Sequence, residues 1–162
     1  NNEVGTIEPI AEIGGIAHTH SPYGTAWAQA GREIPCLGTT HADYFHGAVP
    51  ITDQLTEPEI ASEYEANTGW LIVRRFRGLD PMHLPAVLVR GHASFCWGRT
   101  VADAVETAAV LETVAHVALD TTTLNPTATA LPASLIDMHF LRKHGPAATY
   151  GQAGTRPARK PR

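Results

Sequence analysis

The sequence predicts an α/β fold, and three observations carry that reading. Short apolar runs at Ile13–Ala17, Ala86–Val89 and Ala93–Trp97 have the length and composition of strands. Between and after them lie segments with helix start and stop signals, clearest at Thr100-Val101-Ala102-Asp103. The chain of 162 residues, 43% hydrophobic and 17% charged, is about one domain's worth of globular protein.

The opening stretch, Ile13-Gly14-Gly15-Ile16-Ala17-His18-Thr19-His20-Ser21-Pro22, reads as a buried strand running into a helix. Side chains two apart on a strand share a face, so His18 and His20 stand side by side, the spacing of a metal-ligand pair. Ser21 suits an N-cap and Pro22 the first helical position, which puts the histidines at the strand's carboxyl end. Two folds that use His-x-His do not fit. A cupin-type site wants a carboxylate a few residues on, where Pro22, Tyr23, Gly24, Thr25 and Ala26 stand; a hydrolase barrel needs about 250 residues.

Tyr23–Ala30 reads as a short helix with Trp27 as its core anchor and Gly31 as its left-handed cap. Ile34–Gly38 is a loop or short edge strand. Thr39–Gly47, dense in groups that ionise or hydrogen-bond, is an exposed loop or a site. Ala48–Ile51 predicts a brief strand, and Thr56-Glu57-Pro58-Glu59 a capping box opening a helix to about Asn67. Trp70–Phe76, apolar and β-branched, predicts a strand, with a turn around Gly78-Leu79-Asp80-Pro81.

His92 follows the apolar run Ala86–Val89 in a glycine-flanked turn. Two histidines on one strand and a third far along the chain match a three-histidine metal site with an open coordination position, and His92 reads equally well as a turn residue. Past the returning strand, Val101, Val105, Ala108, Leu111, Ala115 and Leu119 recur at helical spacing, with Glu106 and Glu112 on the wet side. A loop from Thr121 to Pro132 then leads to Ser134, the expected N-cap of a last helix over Leu135–Lys143.

The net charge of −4 argues against a nucleic-acid-binding body and makes small polar metabolites the natural partners. Cys36 and Cys96 form no disulfide framework and suit a reducing cytosol, with a single bridge between them left open. Neither they nor Ser21 and Ser94 sit in a nucleophile context. There is no membrane span and no signal peptide in the residues given, so the expected localisation is cytoplasmic. The basic tail, residues 153–162, is expected to be disordered.

Taken together, Ile13–Ser21, Trp27–Gly31, Gly38–Phe45, Glu63-Tyr64-Glu65, His92 with Phe95-Cys96-Trp97-Gly98, and Leu141–Gly145 with Tyr150-Gly151-Gln152 resemble the L-ribulose-5-phosphate 4-epimerase branch of the class II aldolase superfamily. The resemblance runs from about Glu12 to Gln152 and implies one domain over residues 1–152. It implies a three-layer α/β/α sandwich around a mixed, largely antiparallel sheet. It also implies a divalent metal, zinc before Mn2+ or Co2+, at His18, His20 and His92, and a cyclic homotetramer with sites between subunits. By position Asp43 and Tyr150 match the acid/base pair, the tyrosine crossing the subunit boundary, while Thr39, Glu65 and His139 surround the substrate.

The implied reaction interconverts L-ribulose 5-phosphate and D-xylulose 5-phosphate. The C4 hydrogen is not acidic, so inversion there requires a retro-aldol cut of C3–C4, rotation of the glycolaldehyde phosphate and re-addition through its other face. A Lewis acid stabilises the enediolate charge, and one group on each face of the aldehyde carries the C4 hydroxyl proton. The alternatives are a sugar-phosphate aldolase on the same scaffold, or a non-catalytic metal-binding fragment. The last arises because the family's phosphate-binding loops, and a carboxylate close to its metal, would precede residue 1. His46 departs from the family's common aromatic.

Overall fold

In the computed structural model, which describes residues 12–146 and 148, the core is a three-stranded antiparallel sheet sandwiched between helices. Strand β1 (Gly15–Thr19) pairs with β3 (Ser94–Gly98), which pairs in turn with β2 (Ala86–Leu88). The order is β1-β3-β2, and single bridges join Ile34 to Val49 and Ile51 to Leu88. Those bridges replace the strand expected over Ala48–Ile51.

Alternation along β3 decides the layers. Cys96 and its partner Ala17 face helices α1 (Pro22–Ala30) and α5 (Val101–Leu124), where Trp27, Ala108, Leu111 and Ala115 close the main core. Phe95 points the other way, onto Leu55, Val89 and the Leu71 face of α4 (Tyr64–Arg75). Helix α3 (Glu57–Ala61) precedes α4, and α2 (Thr39–Ala42) packs against the last helix, α6 (Ala133–His144).

Three glycines let β1 and β3 run beneath the start of α5. A Cβ on Gly14 would lie 2.1 Å from the Arg99 carbonyl oxygen, one on Gly15 2.5 Å from Val101 Cα, and one on Gly98 2.4 Å from Asp103 Cβ. The capping box at that helix start forms as expected: Asp103 N–H donates to the Thr100 hydroxyl and Thr100 N–H to the Asp103 carboxylate.

Several expectations are corrected. The opening strand is not buried on both faces: Ile16, His18 and His20 are exposed. Trp70–Arg75 is helix with Phe76 as its C-cap, because burial there follows Tyr64, Thr68, Leu71 and Ile72 at helical spacing while Trp70 is exposed; a short apolar run does not separate the two periods by itself. The helix opened by the Thr56 capping box stops at Ala61 and restarts, with the Asn67 amide donating to the Glu59 carbonyl and the Ser62 hydroxyl across the break. Helix α5 continues through Thr121–Thr123, whose hydroxyls donate back to carbonyls of Val117, Ala118 and Leu119. Its core face is Ala104, Ala108, Leu111, Val114, Ala115 and Ala118, with Val101 and Val105 exposed. The last helix begins at Ala133 behind Pro132. Among the described residues no helix is long and apolar enough to cross a membrane.

Candidate metal centre

Strand β1 delivers His18 and His20 to one end of the sheet, and the hairpin between β2 and β3 delivers His92 to the same end. That hairpin is a tight turn in which His92 N–H donates to the Val89 carbonyl, with Gly91 at φ 72°, where a type II turn wants glycine. The result is a cluster. His20 Nε2 lies 3.1 Å and His92 Nε2 3.2 Å from His18 Nε2, and one nitrogen from each ring lies within 4.8 Å of the other two.

The His18 ring is fixed from behind. It stacks on Phe95, its cross-strand partner, at 4.1 Å, and its Nδ1 lies 2.9 Å from the Ser94 carbonyl. A carbonyl only accepts, so Nδ1 carries the proton and Nε2 presents a lone pair to its two neighbours. Ser94 is itself fully buried and its hydroxyl donates to the Thr19 carbonyl. A histidine anchored in this way through one nitrogen is oriented to ligate through the other.

Burial, followed by the nearby His18 and His20, holds His92 below the usual imidazole range and so keeps it in the neutral form that binds metals. Two ligands on a tetrahedral ion with bonds of about 2.1 Å stand about 3.4 Å apart, close to the separations from His18. The two pairs that include His18 match that spacing, and the three side chains together are a candidate ligand set for one divalent cation. The Tyr64 ring of α4 faces His92 at 6.5 Å.

The remaining predicted site residues gather elsewhere. Asp43, just past α2, accepts from His139 Nδ1 at 3.0 Å and from Arg142 at 3.0 Å, and pairs with Lys143 at 3.4 Å, all on α6. His144 donates to the Asp43 carbonyl. Partial burial raises the Asp43 carboxyl, but the His139, Arg142 and Lys143 contacts prevail and hold it below its ordinary value. Among the described residues no hydrogen bond or ring contact joins Asp43 or His139 to the histidine cluster. Thr39 starts α2 and accepts Asp43 N–H through its carbonyl, and Glu65 is exposed on the first turn of α4. Tyr150 lies outside the described residues, as does the tail.

Both cysteines are free and buried, and burial pushes Cys36 up to about 11 and Cys96 up to about 12, so neither supplies a thiolate. Sequence reasoning also misplaced Glu112. It is half-buried rather than on the wet face, and its carboxylate accepts the Tyr23 and Gly24 N–H groups at 2.9 Å each.

Residues 8–119 match the model of the class II aldolase and adducin N-terminal domain. The chain belongs to that family. Among solved structures it is similar to an L-fuculose 1-phosphate aldolase, with 18% identity and a TM-score of 0.58 over 76% of this chain and 52% of that one. An L-fuculose 1-phosphate aldolase from Glaciozyma antarctica PI12 matches at 17% identity and TM-score 0.58, over 80% of this chain and 44% of that one. An aldolase II superfamily protein from Pseudomonas syringae matches at 16% and 0.57, over 82% and 51%. The chain thus spans about half the length of these relatives. At such identities the likeness establishes the fold, a class II aldolase-like α/β sandwich.

Proposed function

We propose that this chain forms the metal-binding part of a divalent-cation-dependent enzyme acting on a pentulose phosphate. Its reaction is cleavage and re-formation of the C3–C4 bond that interconverts L-ribulose 5-phosphate and D-xylulose 5-phosphate. The observation that carries this reading is the convergence of His18, His20 and His92 on one point, with the tautomer of His18 set by a backbone carbonyl. Zinc suits three neutral imidazoles with an open position, and when bound it supplies Lewis acidity to the negative charge that develops as C3–C4 breaks.

The protein's own groups handle the proton. The base takes the C4 hydroxyl proton, C4 becomes the aldehyde carbon, and the C3–C4 electron pair passes into the C2–C3 enediolate. Rotation and re-addition return the pair and a proton on the opposite face. Asp43, held ionised by α6, acts on one face and Tyr150, from a neighbouring subunit of a homotetramer, on the other. His139, whose Nδ1–H is engaged by Asp43, keeps Nε2 for the substrate, and Thr39 and Glu65 complete the surround. Two of the structural relatives are named as fuculose-phosphate aldolases, which favours a second reading: cleavage without re-addition.

The test is product analysis on the 162-residue chain loaded with Zn2+ and supplied with L-ribulose 5-phosphate. Formation of D-xylulose 5-phosphate without free fragments supports the epimerase. Release of dihydroxyacetone and glycolaldehyde phosphate selects the aldolase. Zinc binding with no turnover of either kind leaves a metal-binding scaffold and overturns catalysis by this chain.

A further inference from the structure

Helix α1 spans the gap between the two segments that carry the histidine cluster. Its N-terminus begins directly after His20 and Ser21, and at its far end the Ala28 carbonyl accepts the N–H of Gly91, the residue before His92, at 2.9 Å. Gly31 then closes the helix in the left-handed conformation at φ 66°, with the Arg90 guanidinium packed so closely that a Cβ on Gly31 would stand 3.0 Å from it. Where α1 sits therefore sets where both histidine segments sit.

Three contacts along α5 hold α1 in place. The Glu112 carboxylate accepts both free amides of the first turn, Tyr23 N–H and Gly24 N–H. One turn on, His116 stacks on the Tyr23 ring at 3.8 Å and 8°. The Ala115 carbonyl accepts the Trp27 indole N–H at 2.9 Å. Within that turn Pro22 has no N–H and Thr25 N–H donates to the Ser21 carbonyl, while the Ser21 side chain caps no backbone amide and its hydroxyl lies against the Glu112 carboxylate instead. A carboxylate from another helix does what the N-cap side chain ordinarily does.

We propose that Glu112 is a positioning residue for the metal centre: it ties the β1–α1 junction to α5 and so fixes His18 and His20 relative to His92. The inference rests on the reading of those histidines as metal ligands. Capping alone would be served by a local side chain such as asparagine at position 21, which stabilises helix starts without reaching another element. Glu112 is charged, remote in sequence and anchored on the helix beneath both strands.

The experiment measures Zn2+ affinity by competition with a chromophoric chelator, alongside thermal melting, for the wild type, Glu112→Gln, and Glu112→Gln combined with Ser21→Asn. Wild-type binding establishes the centre; no wild-type binding refutes the metal reading itself. With binding established, Glu112→Gln should weaken Zn2+ affinity by about 10-fold or more, the range for groups that orient metal ligands. Adding Ser21→Asn, a local cap with no tie to α5, should restore the melting temperature and leave the affinity weak. Glu112→Gln affinity within twofold of wild type, or affinity recovered together with melting temperature in the double variant, overturns the proposal. If Glu112→Gln alone does not fold, the double variant carries the comparison.

Discussion

Replacing Asp43 by asparagine keeps the size of the side chain and one acceptor oxygen, and removes the charge that draws α6 onto α2. The carboxylate faces three donors: His139 and Lys143, whose side chains are 13% and 17% exposed, and Arg142, at 40%. Hydrogen bonds to a charged group are worth about 1.5–3 kcal/mol each when partly buried, and an exposed pair such as that with Arg142 about 0.5 kcal/mol. Asparagine still accepts from one donor, so the expected loss is about 2 kcal/mol, or about 6 °C in melting temperature for a chain of this size. Urea titration monitored by tryptophan fluorescence reads the total, and amide exchange along α6 reads where it falls. The sign with pH is set by the depressed Asp43 carboxyl. Its stabilisation is present above the unfolded-state value of about 3.8 and is lost as pH falls through the folded value. The gap between wild type and Asp43→Asn should therefore hold at neutral pH and close in acid. A variant within about 0.5 kcal/mol of wild type at pH 7, or a gap that widens in acid, would refute the reasoning.

His41 is buried and donates to the Gly47 carbonyl at 2.8 Å; burial lowers its value from 6.5 to about 4, the Gly47 bond opposing the shift. The folded state thus binds fewer protons between those values, and wild type should lose about 3 kcal/mol as pH falls from 7 to 4, a slope that His41→Gln flattens in urea titrations. Gly15→Ala would push a methyl to 2.5 Å from Val101 Cα, backbone that cannot yield without moving α5, and should cost about 3 kcal/mol in denaturant melts. Excess Zn2+ at about 100 times its dissociation constant should raise wild-type stability by about 2.7 kcal/mol, and His18→Ala should abolish that increment in thermal melts.

Local chemistry alone made the metal centre's two halves legible. The two-residue period of a strand places His18 beside His20 whatever the strand packs on, and glycine before His92 announces the turn that carries it. The Thr100–Asp103 cap and the Gly31 stop are likewise written in a few adjacent residues. What escaped was decided by partners distant in sequence. Trp70–Arg75 is helical because Leu71 and Ile72 find Leu55, Val89 and Phe95 on one side, and no window of that segment contains those residues. Glu112 follows the buried Leu111 on α5, and the amides that occupy its carboxylate, Tyr23 and Gly24 N–H, lie almost ninety residues earlier in the chain. Asp43 meets four residues of α6 about a hundred positions away. Periodicity and capping are short-range and survive in the sequence; the convergence of three imidazoles belongs to antiparallel pairing, which brings β1's end to the β2–β3 turn only once the sheet has formed.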